Sequence, residues 1–124
     1  MNIRYMMTSN VVTMSANTPI SDVFKTLYHR HIGSVVVVDE ERRCEGIFTE
    51  RDAIRVVALD IPLRATLRDV MTKNVITVWD GASFAEAKQL FTAHGIRHLP
   101  VVNEGERLIG MLSIRSILDE LVGP

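Results

Sequence analysis

This chain has a single cysteine, Cys44, in 124 residues. No intrachain disulfide can form, which suits a reducing compartment. It has no excess of either charge, the formal net charge being −1 at pH 7. That argues against a broad electrostatic surface for nucleic acid while leaving room for a local basic pocket. No apolar run approaches the roughly 20 residues needed to span a bilayer. Val11–Met14 is too short, and too polar at its edges, to act as a signal peptide. Also missing are an activated nucleophile, a metal-ligand cluster and a proton-relay set. These absences lead us to expect a soluble, cytoplasmic, non-enzymatic protein with no membrane or nucleic-acid partner.

What is present is a globular composition, 47% hydrophobic and 23% charged, enough for one compact domain or two small halves sharing a core. The dominant feature is an internal repeat at an offset of 64 residues. Arg4, Met7, Thr8, Asn10, Val11 and Thr13 fall on Arg68, Met71, Thr72, Asn74, Val75 and Thr77. Ile32, Val37, Val38, Glu40, Arg43, Gly46 and Arg51 fall on Ile96, Val101, Val102, Glu104, Arg107, Gly110 and Arg115. A repeat of this length means two copies of one supersecondary unit, each hiding the other's apolar face.

Each copy reads as a short leading helix followed by β-α-β-β-α. The leading segments are Ile3–Met7 and Leu67–Met71, and short β-branched strands are expected over Val11–Met14 and Val75–Val78. Thr18-Pro19 predicts an N-cap followed by proline at the first helical position. Ile20, Val23, Phe24 and Leu27 then make one buried stripe, matched by Phe84, Ala87, Leu90 and Phe91. Ser83 and Glu86 offer a capping box, and Gly95 a stop. Val35–Val38 and Leu99–Val102 read as strands covered on both faces. Cys44–Phe48 and Leu108–Leu112 follow as strands, and final helices begin near Thr49 and Ser113.

The most specific segment is Gly46-Ile47-Phe48-Thr49-Glu50-Arg51-Asp52. A strand ends there and a helix begins. Gly46 allows another group to lie against its backbone. Thr49 sits among the unpaired N–H groups of a helix start, which attract anions and oxygen-rich ligands. Asp52, one turn on, can accept hydrogen bonds from two vicinal hydroxyls, as on a ribose. Thr-x-x-Asp is equally a self-contained helix cap, and both readings stay open at this point.

In these motifs and their doubled order, the chain resembles a tandem pair of cystathionine-β-synthase (CBS) domains. Gly46–Asp52 matches the family's Gly-hydrophobic-x-Thr/Ser-x-x-Asp. Met7-Thr8, Met71-Thr72 and His94–Val102 are similar to further family pieces, so the likeness runs from Ile3 to Leu121. The resemblance implies an α+β fold of two pseudo-symmetric β-α-β-β-α units packed as one intramolecular pair. It sets a first domain at 1–60, a linker at 61–66 and a second domain at 67–124. It also implies clefts that take an adenosine-containing regulatory ligand: AMP foremost, or ADP, ATP, NAD or S-adenosylmethionine. No cofactor is required and no metal is implied.

Carried over residue by residue, the resemblance has Thr49 and Asp52 holding sugar and phosphate. Ile47 and Val36 line the adenine slot, and Thr13 adds a polar contact. Arg97, His98 and Arg115 face the phosphate, where arginine's planar fork suits the oxygens. A weaker second cleft would use Ser113, Ser116, Arg51 and Pro100. There Ser116 stands where the hallmark has Asp, so one good site and one weak or empty one are expected.

Other residues invite blander readings. His94 and His98 have the i, i+4 spacing of zinc ligands, but Gly95 interrupts the helix between them. His29 and His31 are expected near a helix end, and Cys44 as a small hydrophobe. Trp79 is expected as a lid over an apolar edge, and Met6, Met7 and Met71 as core or interface filler. The functions in play are a nucleotide-sensing module, a structural dimerisation module with vestigial clefts, and a nucleotide-handling enzyme. A homodimer through the helices and a regulated partner protein are the associations expected.

Overall fold

The structure, a computed structural model, describes residues 2–115 and 118. The chain forms two compact units, one of Val12–Val75 and one of Met1–Val11 with Ile76–Pro124. The repeat in sequence and the compact body in space are therefore offset. Each copy's leading segment belongs to the unit built by the other copy.

The Val12–Val75 unit contains β1 (Thr13–Met14), α1 (Ile20–Arg30), β2 (Ser34–Val38), β3 (Cys44–Thr49), α2 (Glu50–Ala58) and α3 (Leu67–Val70). Its sheet has the order β1-β2-β3, with β1 parallel and β3 antiparallel to β2. The other unit holds a 3₁₀ turn (Ile3–Tyr5), β4 (Val78–Trp79), α4 (Phe84–His94), β5 (His98–Val102) and β6 (Leu108–Ser113), in the sheet order β4-β5-β6. Ile114 and Arg115 continue as helix. Both first strands are narrower than the sequence suggests, two residues each, and β4 starts at Val78.

β2 shows why its run is unbroken. Val35, Val36 and Val37 are each fully buried. Successive strand residues face opposite sides. Val35 and Val37 join Ile20, Val23, Phe48, Val56, Leu67 and Val70 in the core beneath the helices, while Val36 lies on the opposite face. Ile20 and Val23 bring the α1 stripe to that core, and the Phe24 ring packs 6.2 Å from Phe48. The second unit has its own core around Ile3, Ala87, Phe91, Leu99, Val101 and Leu112. Met6 is buried in it and Met7 packs against it, so Met6 is core filler as expected.

The expected cap at Thr18 is one residue early. Pro19 is the N-cap of α1, with no side-chain cap bond. The reason is an antiparallel bridge between Pro19 and Thr66, reinforced by the Ile20 N–H donating to the Ala65 carbonyl at 2.8 Å. This holds residue 19 extended. Ser83, its repeat partner, does cap α4, accepting from the Glu86 N–H at 3.2 Å, but the reciprocal Glu86 half of the box is not formed. Gly95 ends α4 in the left-handed region (φ 61°). His31 ends α1 there too (φ 53°), a conformation tolerated by histidine better than by most side chains.

Candidate functional site

The segment singled out in the sequence is the junction of β3 and α2. Thr49, extended at φ −117°, is the N-cap. Its hydroxyl accepts from the Asp52 N–H at 3.5 Å, and its N–H donates to Asp52 Oδ2 at 2.9 Å. That is a full capping box. The cap reading therefore holds, and it places Thr49 and Asp52 side by side as the ligand reading also requires.

Asp52 carries more than the cap. It is the one charged residue buried among the described residues, 8% exposed. Burying a carboxylate is costly unless it is paired and hydrogen-bonded, and Asp52 is both. Oδ2 also accepts from the Thr49 hydroxyl at 3.3 Å. Oδ1 accepts from the Thr72 hydroxyl at 3.1 Å and from Arg55 Nη2 at 3.3 Å. Arg55 Nη2 donates in addition to the Val70 carbonyl at the end of α3. α2 is thus clipped to the Val70–Thr72 segment through one carboxylate and one guanidinium.

Gly46 explains how that segment comes so close. The N–H of Ile47 donates to the Thr72 carbonyl at 3.1 Å, and the Thr72 N–H returns a bond to the Ile47 carbonyl at 2.9 Å. A Cβ at Gly46 would meet Met71 Sδ at 2.6 Å and the Thr72 carbonyl oxygen at 2.9 Å. The group lying against Gly46 is the chain's own Met71-Thr72. Gly110 repeats the arrangement with Met7 Sδ at 2.6 Å and the Thr8 carbonyl oxygen at 2.9 Å.

The register gathers further expected residues. Thr13 pairs with Val36, Val36 with Ile47, and Ile47 with Thr72, giving one row across the sheet. Ser34 pairs with Thr49 at the end from which α2 departs. Thr13, Val36, Ile47, Thr49 and Asp52 therefore belong to one unit. Arg97, His98, Ser113 and Arg115 belong to the other, where His98 pairs with Ser113 and the Ile114 N–H donates to the Arg97 carbonyl at 3.1 Å. Arg97 and Arg115 are exposed, Arg51 is exposed on the first turn of α2, and Pro100 is buried opposite Met111. Ser116 lies outside the described residues.

Two residues the sequence reading passed over are Thr72 and Arg55. Thr72 was visible only as half of a repeated Met-Thr pair. Arg55 had a signal, its i+3 spacing from Asp52 on a helix.

A cavity of about 410 Å³ opens beside the far ends of β1 and β2, lined in part by Thr13, Asn17, Asp39, Glu45 and Arg68. It shares Thr13 alone with the expected ligand residues. Burial pushes the Cys44 thiol from 9.0 up to about 11, opposed by a backbone hydrogen bond at Gly46 and aided by the Glu45 charge. A neutral thiol is neither nucleophile nor metal ligand at pH 7. Trp79 is 53% exposed, its ring folded over Gly81. Among the described residues no three His, Cys, Asp or Glu side chains gather as a metal site, and no helix is long and apolar enough to cross a membrane.

A family model for the CBS domain matches the chain twice, at residues 3–59 and 67–123. A 17.7 kDa uncharacterized protein of Acidianus ambivalens is 30% identical over 93% of this chain and 70% of its own length. The inosine-5'-monophosphate dehydrogenase of Nitrosopumilus maritimus is 32% identical over 90% of this chain, yet only 22% of the enzyme is matched. An uncharacterized protein of Methanocaldococcus jannaschii is matched over 39% of its length. Among solved structures, the CBS domain protein PAE2072 from Pyrobaculum aerophilum complexed with AMP superposes with a TM-score of 0.87 at 28% identity, over 98% of both chains. The CBS domain pair of protein MJ0100 in complex with 5'-methylthioadenosine and S-adenosyl-L-methionine gives a TM-score of 0.88 at 24% identity, over 99% of this chain and 100% of that one.

Proposed function

This chain belongs to the CBS domain family, and we propose that it is a non-enzymatic regulatory module that binds an adenosine nucleotide, AMP foremost, and reports its presence. The supporting observation is Asp52: a buried carboxylate beside a helix N-cap, bonded to the Thr72 hydroxyl that ends the Thr13–Val36–Ile47 row. A carboxylate and a threonine hydroxyl suit the diol and phosphate of a nucleotide. Val36 and Ile47 are the apolar residues proposed to meet the base; both are buried, so a base must displace what covers them. The relative complexed with AMP supports the ligand class. Arg97 and Arg115 are retained as phosphate-binding residues for the charge of their side chains and His98 for its ring N–H, and Ser113, Ser116, Arg51 and Pro100 as a weaker second set.

The test is a thermal melt with millimolar AMP, ADP, ATP, NAD and S-adenosylmethionine. Ligand that binds only the folded form stabilises it by RT ln(1 + [L]/Kd). AMP should raise the midpoint, and Asp52→Ala should weaken binding about ten- to a hundredfold. Melts unmoved by every ligand would sink the proposal. The rival reading, a structural module, is favoured by one observation, the complete internal pairing of the Asp52 oxygens. On that reading Asp52→Ala changes stability alone.

The proposal extends to a homodimer through the helices. A groove of about 370 Å³ lined by Phe24, Ala53, Ile54, Val57 and Ala58 is almost wholly apolar. Ile54 and its repeat partner Leu118 are 69% and 54% exposed. The same position bare in both copies suits a two-fold contact with a second copy. Light scattering showing a strict monomer would refute it. The single, mostly buried thiol suits the cytoplasm.

A further inference from the structure

We infer that Thr72 and Arg55 act as internal competitors of the ligand, so that the site is held closed by its own chain until a nucleotide displaces them from Asp52. This rests on the nucleotide reading above and concerns what sets the affinity of that site. An ionised carboxylate has two oxygens and about four lone-pair positions. All are in use. Oδ2 takes the Thr49 N–H, which belongs to the cap and cannot leave without opening α2, and the Thr49 hydroxyl, which stays beside it as the N-cap side chain. Oδ1 takes the Thr72 hydroxyl and Arg55, which belong to neighbouring elements and can leave.

The two competitors together imitate a ligand. The Thr72 hydroxyl donates as a sugar hydroxyl would, and the Arg55 guanidinium balances the charge. A diol reaching Oδ1 must therefore take the place of Thr72. Thr72 is next to Ile47 in the sheet row, and Arg55 also holds the Val70 carbonyl. Displacement at Asp52 would thus loosen the Val70–Thr72 segment from α2. Occupancy then becomes a change in how that segment is held.

The test is AMP titration by calorimetry on the native chain, Thr72→Val, Thr72→Ser and Asp52→Ala. Thr72→Val keeps the shape and the backbone pairing while removing the competing hydroxyl. It should bind AMP about three- to tenfold tighter, the worth of one net hydrogen bond. Thr72→Ser keeps the hydroxyl and should bind like the native chain. In an Asp52→Ala background Thr72→Val should have no effect, because there is nothing left to compete for. Native binding with Thr72→Val unchanged or weaker overturns the inference alone, since Thr72 then supports the site instead of blocking it. No AMP binding by any form overturns the nucleotide reading, and this inference with it. If Thr72→Val fails to fold, a structure of the native chain with AMP decides. Thr72 Oγ1 beyond hydrogen-bond reach of Asp52 Oδ1 bears the inference out, and an intact bond overturns it.

Discussion

At Gly46 in one unit and Gly110 in the other, a Met-Thr segment lies across a glycine in a strand, paired through its backbone with the next residue. The approach is the same in both, a methionine sulfur at 2.6 Å and a threonine carbonyl oxygen at 2.9 Å from where a Cβ would stand. Two turns of sequence later the copies part. The first has Asp52 and Arg55, which bind Thr72 and Val70. The second has Ser116 and Asp119 at the matching positions, so the acid at 52 and the base at 55 are both replaced in sequence. What the copies share is the docking of the leading segment, which the fold needs twice. What they do not share in sequence is the acid at the hallmark position, Asp52 in the first copy and Ser116 in the second. That difference makes Asp52 a candidate for function.

The shared part can be broken at the glycines. Gly46→Ala and Gly110→Ala should each cost about 1–3 kcal/mol, the usual range for forcing an atom into a packed site. Here the obstruction includes a backbone oxygen that cannot swing away. Denaturant melts would measure it. Near-equal losses support equivalent docking; a cost at one glycine only would show that the likeness is superficial.

The doubled architecture was legible because identical residues recur at fixed spacing and because Val35–Val37 and Leu99–Val102 lack polar breaks. The offset between repeat and compact unit was not legible. Nothing in Ile3–Met7 says whether it packs with its own copy or the other, since both cores are equally apolar. The Thr49–Asp52 pair was legible as a pattern with two meanings, cap or ligand contact. The structure shows the cap in detail. It also adds Thr72, twenty residues away in sequence, which no local rule could attach to Asp52. The Thr18 cap failed because the bridge from Thr66, a long-range pairing, overrode a local signal.

Cys44 and its repeat partner Leu108 sharpen the comparison further. Leu108 is buried, 2% exposed, whereas Cys44 at the matching place is only partly buried. With its thiol raised from 9.0 to about 11, alkylation at pH 8 should be about a hundredfold slower in the folded chain than in the unfolded one. The sign follows from linkage. Burial favours the neutral form, so this contribution to stability is intact below about pH 9 and is lost as pH rises through about 11. Fast alkylation of the native chain at pH 8 would contradict the partial burial that raises the thiol.

The difference between the sites can be tested by trying to erase it. Ser116→Asp restores the hallmark in the second copy. If a missing carboxylate is what weakens that site, the variant should bind AMP there about tenfold tighter. Calorimetry should move from one ligand per chain toward two. A stoichiometry that stays at one would mean that other departures matter more. One is Gly33 and Ser34 of the first copy, standing where the second has Arg97 and His98; Glu50 Oε1 leans to within 3.2 Å of a Cβ built on Gly33.

The smallest contrast concerns the helix starts. Ser83 and Pro19 occupy the same repeat position, and each is bridged to a leading segment, Ser83 to Asn2 and Pro19 to Thr66. Only Ser83 satisfies an N–H with its side chain, so Ser83→Ala should lower stability by about 1 kcal/mol. Thr18→Ala should stay within about 0.5 kcal/mol, because the Thr18 hydroxyl caps nothing. Equal losses at the two sites would mean that Thr18 caps α1 in solution, and that the bridge to Thr66 is weaker than the cap it displaces.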